Sequence, residues 1–87
     1  MKIKSEYVLR SVAGEHIVVP TGQAAVNFNG IITLNNSGKL LFEALKEGAT
    51  LAELVILLQE TYDVSEAVAL NDVETFINLL KSKDLFE

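Results

Sequence analysis

The chain predicts an α+β fold, a three-stranded antiparallel sheet followed by three helices, in one domain over residues 1–87. Its first third is rich in β-branched residues and alternates in character. From Asn35 onward the apolar residues recur at helical spacing, and no repeat, low-complexity tract or linker interrupts the chain. Apolar residues make up 49% and charged residues 22%, which places the chain among compact folds rather than disordered ones. At 87 residues, folding buries only about 60–65% of the unfolded surface, which leaves little material for an enclosed active site.

"EYVLRSV" reads as a first strand and "HIVVPT" as a second, ending at Pro20, which has no N–H for a ladder. "AGE" between them is a short hairpin turn in which Gly14 is free to take positive φ. After a turn at Thr21, Gly22 and Gln23, Val26 and Phe28 are expected to begin a third strand that continues through "IITL", with Gly30 at a bulge or bend.

Asn35 or Asn36 is expected to N-cap a first helix over residues 37–46, burying Leu41, Phe42 and Leu45 and stopping at Gly48. "TLAE" is a capping box for a second helix, in which Thr50 and Glu53 satisfy each other's backbone N–H groups. That helix presents Leu51, Leu54, Val55, Leu58 and Tyr62 on one face. Asp63 or Ser65 opens a third helix reaching about Lys83, with a stripe of Leu70, Val73, Ile77 and Leu80 flanked by Ala69, Asp72 and Phe76.

The absence of cysteine removes disulfides and thiolate metal sites, and a reducing cytoplasm is the expected location. "MKIKSEYVLR" carries no signal-peptide core, and no apolar run reaches the roughly 18 residues of a membrane span. The net charge of −5, with seven bases scattered among twelve acids, disfavours nucleic acid.

Catalytic constellations are missing. His16 is a lone histidine on a strand with no second nitrogen or sulfur ligand, so no metal is expected, and it would have to serve any serine or threonine as a triad base across the fold. Asp63, Glu66, Asp72 and Glu74 suit the dipole and solvation of a helix, and neither "NNSG" nor "VAGE" has phosphate-loop spacing. Gly38 reads as a small residue where a helix start approaches another element. The expectation is a protein without catalytic residues or cofactor.

Binding is then the natural task. The edge of a small sheet must be blunted, covered or used. "GIITL" is uncharged and β-rich, so it suits addition of an extended peptide; it equally suits an inner strand, or an edge covered by the domain's own helix.

Four segments in order carry a resemblance: "YVLRSVAGEHIVVPT", "NFNGIITLNNSGKLLFEAL", "TLAELVILLQETYDVS" and "NDVETFINLLKSKDLFE". Together they resemble the PqqD family, which includes the pyrroloquinoline quinone biosynthesis protein D and the peptide recognition elements of ribosomally made, modified peptides. "LNNSG" stands in the place of the family's Leu-Asn-x-(Thr or Ser)-Gly, and "DVETFINLL" in the place of its Asp-Val-x-x-Phe-(Leu or Ile) helix.

The resemblance implies a winged-helix-like domain that binds a precursor's leader peptide beside the third strand, in a cleft closed by the third helix. It also implies delivery to a modifying enzyme, often a radical SAM protein, in coenzyme PQQ synthesis or another peptide pathway. Carried onto this chain, the peptide-binding residues are Ile31, Ile32, Thr33 and Leu34 of the strand and Ala69, Asp72, Val73 and Phe76 of the helix. Helical geometry puts Ala69, Asp72, Val73, Phe76 and Leu80 within about 100° of arc, with Leu70 and Ile77 toward the core and Val68 and Leu79 on the other flank. Asp72 could meet a basic or hydroxyl side chain, or make a local hydrogen bond near the helix start. Phe42 is expected in a core position where many relatives carry tryptophan.

The alternatives are a winged-helix DNA-binding regulator and a purely structural partner subunit. The regulator needs a basic recognition helix, whereas Glu66, Asp72 and Glu74 precede Lys81 and Lys83 here.

Overall fold

A computed structural model describes residues 1–27 and 31–87. Strands β1 (Tyr7–Val12) and β2 (Glu15–Pro20) form a hairpin, and β3 (Ile32–Leu34) adds antiparallel to β2, giving the order β1-β2-β3. Ala13 and Gly14 make the two-residue turn with φ of 52° and 81°. Both being positive is what a type I′ turn requires. Gly14 adopts this readily, while Ala13 carries a Cβ cost of about 1–2 kcal/mol.

Four helices follow the hairpin rather than three: α1 (Gln23–Asn27), α2 (Asn36–Glu47), α3 (Leu51–Thr61) and α4 (Glu66–Ser82). The short α1 replaces the expected strand start at Val26, while Phe28 and Gly30 lie outside the described residues. Gly22 turns the chain at φ 56°, and the Glu6 carboxylate accepts from the Ala24 N–H at 3.1 Å. An anion at a helix start, followed by two alanines, outweighs the β-propensity of Val26.

Local capping sets the remaining helices. Asn35 caps α2, its side chain accepting from Gly38 N–H at 2.8 Å, and Gly48 ends it at φ 105°. Thr50 and Glu53 form both bonds of the capping box on α3. Ser65, not Asp63, caps α4 by accepting from Val68 N–H.

One core joins the inner sheet face to the helices. Val18, Ile32 and Leu34 meet Leu41, Phe42 and Leu45 of α2, Leu54, Val55 and Leu58 of α3, and Ala69, Val73, Ile77 and Leu80 of α4. Phe42 is 1% exposed, in the core position expected of it. Leu70, expected in the stripe of α4, is instead 36% exposed, and Ala69 takes that place, because residues 69, 73, 77 and 80 form the inward row.

The termini close the core together. Ile3 bridges Phe86, Lys4 N–H donates to the Leu85 carbonyl at 2.8 Å, and Ile3 and Leu85 are buried. Among the described residues no helix is long and apolar enough to cross a membrane.

Candidate functional site

The register decides which backbone groups the sheet leaves unused. Thr21 N–H donates to the Glu6 carbonyl at 2.8 Å, one step beyond the Tyr7 and Pro20 pair. Bonded and non-bonded pairs alternate along an antiparallel ladder, so Val8 with Val19, Arg10 with Ile17 and Val12 with Glu15 exchange bonds. His16 and Val18 therefore turn their backbone groups toward β3, where they face Leu34 and Ile32. Thr33, opposite Ile17, falls at a non-bonded pair, and its N–H and C=O point off the outer edge of the sheet.

The two sheet edges differ. On β1, Tyr7 is likewise turned outward, and the Lys46 ammonium donates to its carbonyl at 2.8 Å, with further bonds to the carbonyls of Lys4 and Ser5 at 3.3 and 3.4 Å. A lysine thus blunts the start of that edge. On β3 no described strand pairs beyond Thr33, and residues 31–34 carry no charge. Ile31 is 57% exposed, whereas Ile32 and Leu34 put their side chains into the core.

Beside the end of β3, two hollows of about 410 and 390 Å³ open between the α2 start and α4. Asn35, Ser37 and Asp72 line both. Asn36, Leu58, Tyr62 and Val64 complete the first, and Gly38, Leu41, Asn71, Thr75, Phe76 and Leu79 the second. Gly38 makes this junction possible: a Cβ there would lie 3.2 Å from Asn35 Oδ1 and 3.3 Å from Leu34 Cβ. His16 is a strut of the same corner, its Nε2 3.0 Å from Asn36 Oδ1 and its Nδ1 3.3 Å from the Ser11 hydroxyl. Among the described residues no group of three or more acids and histidines could hold a metal ion. What the corner offers is an open strand edge, apolar hollows and one carboxylate between them.

The model of the family described as coenzyme PQQ synthesis protein D matches residues 6–85. The chain belongs to the PqqD family. The fold is shared with two solved structures. TbiB1, in complex with the TbiA(beta) leader peptide, superposes with a TM-score of 0.78 at 23% identity, over 100% of this chain and 95% of that one. A lasso peptide synthetase B1 complexed with its leader peptide superposes with a TM-score of 0.75 at 17% identity, over 97% and 93%. No curated protein sequence matches the chain.

In this PqqD family member the eight residues expected at a site take different positions. Thr33 presents its backbone outward, while Ile32 and Leu34 spend theirs on β2. Asp72 and Phe76 line the hollows. Ala69 and Val73 have zero exposure, so their side chains belong to the core beneath, because their row faces α3 and the sheet. Leu79, expected on the other flank, lines the same hollow as Phe76, three residues along one helix face. Asn35, Ser37, Leu41, Tyr62, Val64 and Thr75 join the site only through folding; "LNNSG" was the local signal that could have pointed to the first two.

Proposed function

We propose that this chain is a non-catalytic adaptor that takes up the leader of a ribosomally made precursor peptide as an added strand on β3. It presents that leader to a modifying enzyme, of radical SAM type or another class, in coenzyme PQQ synthesis or a different peptide-maturation pathway. The carrying observation is the β3 edge: Thr33 offers an outward N–H and C=O on an uncharged strand beside two hollows, while on the other edge Lys46 occupies only the Tyr7 end of β1. Such an edge supplies main-chain bonds for affinity and pockets for selectivity. The leader peptides named in both structural neighbours support the same reading. The DNA-binding alternative finds less support, since α4 carries Glu66, Asp72 and Glu74 before its first lysine.

The test is a titration of isotopically labelled protein with candidate leader peptides drawn from short reading frames near its gene. Amide shifts are expected at residues 31–34 and on the face of α4 bearing Asp72, Phe76 and Leu79. The reading fails if these amides stay unmoved by peptide and shift with duplex DNA.

A further inference from the structure

We propose that the groove selects a peptide bearing a basic side chain set between apolar side chains at alternate positions, with Asp72 reading the charge. This inference rests on strand addition at β3.

Asp72 lines both hollows, so it stands where they meet. On one side of it are Leu58, Tyr62 and Val64, and on the other Leu41, Phe76 and Leu79. Among the described residues it is the one charged residue lining either hollow. Its carboxylate makes no hydrogen bond or ion pair among the described residues, which removes the local-bond explanation of its presence.

Helix capping does not account for it either. Ser65 caps α4, Glu66 supplies the acid of the first turn, and Asp72 lies nearly two turns in. Asp72 is exposed, and amides and hydroxyls of Asn35, Asn36, Ser37, Asn71 and Thr75 line the hollows with those apolar side chains, so its unpaired carboxylate is open to a cation at the strength of a solvent-accessible ion pair. Side chains of an added strand alternate in direction, and same-face neighbours are about 6.6 Å apart. Two apolar side chains in the hollows therefore leave the same-face position between them to meet Asp72. Lysine or arginine satisfies the charge there; a neutral residue leaves it unpaired, and an acid is repelled.

The test uses fluorescein-labelled synthetic peptides of one host sequence, with leucine, X and leucine at successive alternate positions and threonine between. X is lysine, arginine, glutamine or glutamate. Binding is read by anisotropy with the full chain, Asp72→Asn, Asp72→Lys and Thr33→Pro. On the unsubstituted chain the lysine and arginine peptides should bind about five-fold tighter than the glutamine peptide, the upper range of a solvent-accessible ion pair. Asp72→Asn should abolish that preference, and Asp72→Lys should turn it toward glutamate. Unchanged melting of Asp72→Asn verifies that the exposed substitution leaves the fold intact.

Equal binding of all four peptides, or a preference that survives in Asp72→Asn, overturns the proposal. If such binding is still lost in Thr33→Pro, strand addition stands and only the charge selection falls. If Thr33→Pro binds every peptide normally while the Asp72 preference persists, strand addition falls and the alternate-position spacing falls with it, leaving only a preference of Asp72 for a basic side chain. If no peptide binds, both are overturned.

Discussion

The Lys46 ammonium lies 2.8 Å from the Tyr7 carbonyl oxygen, a residue 39 positions earlier, and fastens α2 to the outer edge of β1. Lys46 is half-buried and serves three carbonyls, of which that of Lys4 also accepts from the Tyr7 N–H at 3.2 Å, so Lys46→Met removes the charged donor the three share. Stability should fall by about 1–3 kcal/mol, the range for losing charge-assisted bonds. The exposed β1 edge should also promote self-association. Urea unfolding reads the first effect and sedimentation velocity the second.

Thr33→Pro should separate binding from folding. Its missing N–H is one that β2 does not use, and an edge strand tolerates proline there. Thermal unfolding should shift by the equivalent of about 1 kcal/mol or less. Peptide affinity should fall roughly ten-fold or more, as expected when one main-chain acceptor is left unmet. A large loss of stability with unchanged affinity would mean that this N–H faces the sheet.

Gly38 has no room to spare. Valine there would push against Leu34 Cβ and the Asn35 oxygen that caps α2, both within 3.3 Å of the added Cβ. Overpacking costs about 1–3 kcal/mol, and displacing the cap adds about 1 kcal/mol. Alanine should cost much less, because its helix propensity offsets part of the crowding by about 1 kcal/mol. Urea midpoints of the two variants should therefore rank alanine above valine.

Glu53 makes α3 sensitive to acid. The Thr50 backbone N–H, and secondarily its hydroxyl, holds the Glu53 carboxyl below its ordinary value. A carboxyl with a depressed folded pKa contributes stability above the unfolded pKa and loses it as pH falls through the folded one. Glu53→Gln should therefore melt below the unsubstituted chain at neutral pH. The gap should close as the pH is lowered past the ordinary carboxylate range, in paired thermal scans.

Much of this architecture was legible because its causes are local. The hairpin at Gly14, the capping box of Thr50 and Glu53, and the stop at Gly48 each depend on residues within a few positions of one another. Where two local signals competed, as at Val26, propensity pointed to a strand, but the distant Glu6 carboxylate had joined the other side. Along α4, spacing identified the residues of one broad face but not its division. Only the approach of α3 and the sheet buries Ala69 and Val73 and leaves Asp72 and Phe76 at the groove.

By itself the sequence determined the β hairpin, a third strand through Ile32–Leu34 and the three capped helices after it, but neither α1 nor where that strand begins, and it carried the family motif "LNNSG" at the strand-to-helix junction. Tertiary structure alone decided that Lys46 occupies the start of one sheet edge while the other offers the Thr33 backbone. The physical reason is that a strand's unpaired N–H and C=O groups acquire their meaning from what reaches them. Lys46 comes to Tyr7 from another element, whereas no described strand comes to Thr33.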